Sequence, residues 1–141
     1  MDQLSKKRRI VEFLKQNKVA VLSTITPDGK PESATVEYVL TDKLEIIFNT
    51  FATYRKYRNL KNNASVAIVV GFKDKTVQYE GLAGEAKGKE QEECKKLHAS
   101  SIKHKTKFHE MPETRYFKVS PKWIRYADYS KKPWELFEIL F

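Results

Sequence analysis

Between Phe48 and Leu60 the chain sets two hydroxyls, Thr50 and Thr53, ahead of two adjacent cations, Arg55 and Lys56. A β-rich run comes before them and residues with helical spacing come after. This mixture suits a phosphate dianion: a guanidinium fork for two oxygens, an ammonium for the third, hydroxyl donors, and the free N–H groups of a helix start. The plainer alternative is a helix N-terminus with surface cations, and spacing alone slightly favours it. Cations in a first helical turn oppose the helix dipole, however, so a bound anion would relieve a local penalty.

Other chemistry-bearing residues are sparser. Cys94 and His98 stand four apart on a predicted helix, a spacing that could share a metal, but no second pair completes the set, and His104 and His109 fall in a different geometry. A buried Cys and a surface His are the simpler reading. There is no Gly-rich phosphate loop, nucleophile elbow or paired zinc motif. No residue stands out as a catalytic acid or base.

The elements that must position these groups follow from periodicity. Leu4, Ile10, Val11, Phe13 and Leu14 recur at helical spacing between Gln3 and Asn17. Val19 to Thr24 reads as a strand that ends in the turn signal Thr26-Pro27-Asp28-Gly29. Pro31 to Leu40 alternates, with Ala34, Val36, Tyr38 and Leu40 on one face, and Leu44 to Asn49 makes a third strand. After Thr53, a candidate cap, about two helical turns end at Asn62 and Asn63, one of which could adopt a left-handed C-terminal cap. The all-apolar run Ala64 to Phe72 predicts a strand covered on both faces. Thr76 to Lys87 follows, with Gly81, Gly84 and Gly88 suggesting bends or bulges. Lys89 to Lys105 reads as a helix with Cys94, Leu97, Ser101 and Ile102 inward. Thr114 to Val119 and Trp123 to Asp128 read as two strands flanking Pro121. Short strands joined by tight turns favour a closed or nearly closed barrel over an open sheet, because closure removes exposed edges.

The 141 residues, 40% of them hydrophobic, suit one domain spanning 1–141 with a real core. No apolar run approaches the roughly 20 residues that cross a bilayer. A charged start without a signal-peptide pattern and a lone Cys94 point to the cytoplasm. The net charge of +9 invites a nucleic-acid reading, yet the lysines are spread over helices and turns, which suits a solvated basic surface that attracts small anions.

Phe48, Thr50, Arg55, Lys56, Asn59 and Leu60, followed by Asn63 to Ala67, resemble the flavin mononucleotide-binding split barrels related to pyridoxamine 5'-phosphate oxidase. The resemblance extends to Val21-Leu22-Ser23-Thr24, Pro27-Asp28-Gly29 and Pro31, and to Val77, Gln78, Tyr79, Glu80, Gly81, Ala83 and Glu85. It implies a mainly β, six- to seven-stranded antiparallel split β-barrel with flanking helices. It further implies that Arg55 and Lys56, with Thr50, bind the phosphate of flavin mononucleotide (FMN), and that Gln78 contacts the flavin; the spacing adds Thr53 as a second hydroxyl for the cofactor. The family's pattern is a homodimer with flavin at the subunit interface, acting as an oxidoreductase on a small-molecule redox substrate. On that pattern the aromatic tail, Trp134, Phe137 and Phe141, packs either on a second subunit or on its own barrel.

The chain departs from the oxidase members in two places. No Arg stands at Ala34 or its neighbours, and Trp134 to Phe141 lacks the substrate-binding block with its paired arginines, so oxidation of pyridoxamine phosphate is not implied. Split barrels also hold deazaflavin or haem, and a non-enzymatic carrier or sensor, or a basic nucleic-acid-binding barrel, stands as the alternative class.

Overall fold

The structure is a computed structural model that describes residues 1–103 and 107–141. Its elements run α1 (Gln3–Gln16), β1 (Val19–Ile25), β2 (Pro31–Leu40), β3 (Ile46–Phe51), α2 (Arg55–Asn62), β4 (Ser65–Val70), β5 (Lys75–Glu85), α3 (Lys89–Ser101), β6 (Thr114–Asp128) and β7 (Glu135–Leu140). The strands lie in the order β3-β2-β1-β4-β5-β6-β7, and β3 also pairs with β6. All pairings are antiparallel, so six strands close into a barrel and β7 extends it from β6. The expected split barrel with flanking helices is what the chain forms. Among the described residues no helix is long and apolar enough to cross a membrane.

The core follows from strand alternation. Ala20 and Leu22 of β1, Val36 and Tyr38 of β2, Ile46 and Phe48 of β3, Ile68 of β4 and Tyr79 of β5 fill the interior. α1 closes one side of it with Ile10, Phe13 and Leu14. Two core tyrosines find backbone partners for their hydroxyls: Tyr38 donates to Leu14 O at 2.7 Å and Tyr79 to Leu44 O at 2.7 Å. Burial pushes both phenols above their ordinary range, so they stay neutral staples.

Several expectations are corrected. Thr114 to Asp128 is one strand, not two, and its first half pairs with β3 while its second half pairs with β7. Pro121 is accommodated by a bulge: Glu80 faces Trp123 and Gly81 faces Pro121, leaving Lys122 as the extra residue. A Cβ at Gly81 would stand 2.3 Å from Ser120 O, so only glycine fits there. β4 alternates buried and exposed, hence it is covered on one face only. Asn63 ends α2 in an extended conformation, not a left-handed one.

In α3, Cys94 and His98 are buried, whereas Leu97 and Ser101 are exposed because they face away from β3 and β6. The helix stops at Ser101, and the remainder of its expected span at 104–105 lies outside the described residues. The tail is a seventh strand: Phe137 stacks on Tyr126 at 5.0 Å and Ile139 is buried, while Trp134 and Phe141 are exposed.

One irregularity positions the site. β2 and β3 pair only through Tyr38–Leu40 and Ile46–Phe48. Beyond that point Pro31–Glu37 stays with β1 and Asn49–Phe51 with β6, so the two strands diverge.

Candidate functional site

Two adjoining hollows open where β2 and β3 part. The first, of about 440 Å³, is bounded by Val36, Thr50, Phe51, Tyr54, Lys56 and Phe108. The second, of about 330 Å³, is bounded by Thr24, Glu32, Thr53, Arg55 and the shared Tyr54 and Lys56. α2 begins at their junction because Tyr54 takes an extended backbone and Arg55 the first helical one. Tyr54, not Thr53, is the N-cap residue, and no side chain caps the helix.

Thr50 points to the barrel side of β3, as Ile46 and Phe48 do, and is 5% exposed. Among the described residues its Oγ1 has no hydrogen-bond partner. A buried hydroxyl left in that state costs about 1–3 kcal/mol, so its position in the wall of a hollow is informative. Lys56 crosses between the hollows with Nζ 4.9 Å from the centre of the Tyr54 ring. Burial pulls its ammonium pKa down, and the neighbouring Arg55 charge adds to that effect. A desolvated cation beside an unpartnered hydroxyl is an environment that an anionic oxygen would improve for both groups.

Arg55 is differently placed. Its Nη1 lies 3.0 Å from Glu32 Oε2. The other Glu32 oxygen accepts from Asn59 Nδ2 at 2.8 Å, and the same amide donates to Thr24 Oγ1 at 3.0 Å. Asn59 is fully buried. Glu32 escaped the sequence reading, although continuing the alternation of Ala34, Val36 and Tyr38 back one step turns it toward the barrel mouth.

α2 is held from its other side by Glu85, at the end of β5. Glu85 Oε1 accepts from Tyr57 Oη at 2.9 Å and from Lys61 Nζ at 3.0 Å. Burial alone would raise its carboxyl, but the hydrogen bonds from Lys61 and Tyr57 and the nearby lysine charges leave it net lowered. The helix that begins with Arg55 and Lys56 is thereby tied to the barrel at both ends of its inner face, by Asn59 and by this triad.

Thr50, Thr53, Arg55 and Lys56 thus come together around one cleft. Gln78 does not join them: it is exposed on the outer face of β5, in register with Val69 and Arg125. Val19 and Thr35, which also face outward, line the first hollow, so the cleft opens onto the same outer face.

Cys94 and His98 are each engaged by protein neighbours. Cys94 packs with Ile47, Ala86 and Tyr116 between α3 and the sheet, and burial pushes its thiol pKa up. His98, expected at the surface, is buried because both ring nitrogens are used: Nε2 lies 2.9 Å from Glu37 O and Nδ1 lies 3.0 Å from His109 Nε2. A carbonyl can only accept, so His98 donates from Nε2 to Glu37 O, and its Nδ1 shares a proton with His109 in a direction set by the protonation of the two rings. No group of three or more His, Cys, Asp or Glu residues that could hold a metal occurs among the described residues, and His104 lies outside them.

A family model described as pyridoxamine 5'-phosphate oxidase matches residues 7–128. No curated protein sequence matches the chain. Among solved structures, a haem-binding protein from Mycobacterium smegmatis is 15% identical with a TM-score of 0.79, the match covering 99% of this chain and 59% of that one. General Stress Protein 26 from Bacillus anthracis is 22% identical with a TM-score of 0.71, covering 98% and 100%. A pyridoxamine 5'-phosphate oxidase-related, FMN-binding protein from Nostoc punctiforme is 11% identical with a TM-score of 0.64, covering 98% and 94%. The chain spans about three fifths of the length of the haem-binding structure. Identities this low carry the fold, and the activity must be argued from the cleft.

Proposed function

The chain belongs to the pyridoxamine 5'-phosphate oxidase family, and from that premise we propose that its cleft takes FMN by the phosphate and that the protein is a flavin-dependent oxidoreductase acting on a small molecule. The observation that carries this reading is Thr50 Oγ1, buried and without a partner among the described residues, in a hollow shared with a half-buried Lys56. The residues fit the group: the hydroxyl of Thr50 lines the first hollow, that of Thr53 and the guanidinium of Arg55 line the second, and the ammonium of Lys56 borders both, the donor set a phosphate takes. The bound isoalloxazine would supply the redox chemistry, accepting a hydride from a reduced nicotinamide or another organic donor. The protein's share is orientation and exclusion of water. Phe51, Tyr54 and Phe108 form an aromatic wall beside the phosphate grip, with Phe51 5.1 Å from Tyr54 and 5.9 Å from Phe108 between ring centres.

The second part of the proposal is a homodimer. The outer sheet face presents Val19, Val69, Leu82, Leu136 and Leu140, all exposed, and it is continuous with the cleft through Val19 and Thr35. A second copy on this face would cover the apolar residues, enclose the flavin ring and bring Gln78 to the interface.

Titration with FMN tests the reading. Added FMN is expected to raise the melting temperature of the wild type and to lose its fluorescence on binding, and Arg55→Ala/Lys56→Ala is expected to abolish both effects. A wild-type protein that shows neither response, or a double variant that binds FMN as well as the wild type does, would sink the proposal. The absorption spectrum of the complex separates flavin from haem in the same experiment.

A further inference from the structure

Glu32 is a carboxylate built into the second hollow, whose other charged side chains among the described residues, Arg55 and Lys56, are cations. Both of its oxygens are used, Oε2 by Arg55 at 3.0 Å and Oε1 by Asn59 at 2.8 Å. Its side chain is 20% exposed while that of Arg55 is 68% exposed, so the carboxylate is the enclosed, fixed member and the guanidinium the solvent-facing one. The fixing is structural. Asn59 is fully buried and divides its amide hydrogens between Glu32 and Thr24, and Thr24 stands directly opposite Glu32 in the β1–β2 register. Moving Glu32 would leave a buried amide hydrogen without an acceptor.

The charge balance gives this arrangement a meaning. The charged side chains on the second hollow are Glu32, Arg55 and Lys56, which together leave a single positive charge. A phosphate monoester near pH 7 brings roughly −1.5 to −2. Arg55, the group best shaped to meet it, is already paired with a carboxylate, and a phosphate brought to Arg55 also approaches Glu32, a like charge.

Resting on the FMN reading above, we propose that Glu32 competes with the cofactor phosphate for Arg55, so that FMN exchanges with the surrounding pool instead of residing permanently. Lys56 and Thr50 then supply the lasting part of the grip. Arg55 contributes only to the extent that the phosphate draws it off Glu32, and flavin leaves when the guanidinium returns. Glu32 is a specificity residue in this scheme, because the charge of the ligand's tail decides how strongly the carboxylate opposes it.

The experiment compares FMN with riboflavin, which has the same ring and no phosphate, by fluorescence titration on the wild type and on Glu32→Gln, which keeps the size and an acceptor for Asn59. Expected results are FMN binding about tenfold tighter and dissociating more slowly in the variant, with riboflavin affinity unchanged. FMN affinity that is unchanged, or weakened relative to riboflavin, overturns the proposal and makes Glu32 an orienting partner of Arg55. The wild type gives an independent readout if the variant does not fold: FMN is expected to be lost on dilution and gel filtration, and retention of one FMN per chain through both overturns the proposal. A protein that never distinguishes FMN from riboflavin, with or without Glu32, removes the phosphate reading itself and this proposal with it.

Discussion

Thr50 is where a single atom connects the fold to the ligand. Its hydroxyl sits inside a barrel wall with no partner among the described residues, an arrangement that destabilises the ligand-free protein. Thr50→Val keeps the shape, favours the strand and deletes the orphaned group. The ligand-free variant is therefore expected to be more stable by about 1 kcal/mol, read as a higher melting temperature, while its FMN affinity drops relative to riboflavin. A variant that loses stability would mean that the hydroxyl has a partner in the folded chain. Thr50, Arg55 and Lys56 were legible because hydroxyl and cations lie within a few residues at a strand-to-helix junction. Glu32 was not, because its role depends on Asn59, far away in sequence, and on which side of β2 it faces. Gln78 came from family resemblance, and a single chain leaves it outside the cleft.

At the scale of elements, the orientation of α2 decides whether the cations meet the hydroxyls at all. Tyr57 and Lys61, one helical turn apart, both donate to Glu85 of β5. The folded pKa of Glu85 is held below its ordinary value of 4.5, so the stability it supplies is complete above that value and is lost as pH falls through the lowered folded value. Glu85→Gln is expected to cost about 1 kcal/mol near neutral pH, a figure already discounted for the exposure of Lys61. It should also flatten the fall in stability below about pH 5, measured as urea midpoints across a pH series. An unchanged acid limb would show that another carboxylate governs it. The two-turn helix itself was legible from its spacing. β6 was read as two strands because Pro121 breaks a sequence pattern, whereas a bulge opposite Gly81 lets one strand run through. β4 was read as doubly covered because all of its outer residues are apolar or small, and in the single chain Ala67 and Val69 are exposed.

Those exposed residues carry the question to the whole molecule. The proposed dimer would cover the outer side of this apolar strand, which meets water in one chain. Val69 lies within this face, flanked in register by Val21 and Gln78, and is 37% exposed, so a charge there does not enter the barrel core. The wild type is expected to sediment as a dimer. Val69→Glu should shift it to monomer with little change in its circular dichroism, because assembly would bury an unpaired carboxylate on each subunit in an apolar interface. A monomeric wild type, or a variant that remains fully dimeric, would refute this assembly. Flavin binding separates the scales. Variants at Thr50 and Glu32 act on the phosphate and change the ratio of FMN to riboflavin affinity, whereas opening the dimer exposes the ring and should weaken both ligands together. A Val69→Glu monomer that retains wild-type riboflavin affinity would place the ring entirely within one chain, and Gln78 would then have no route to it.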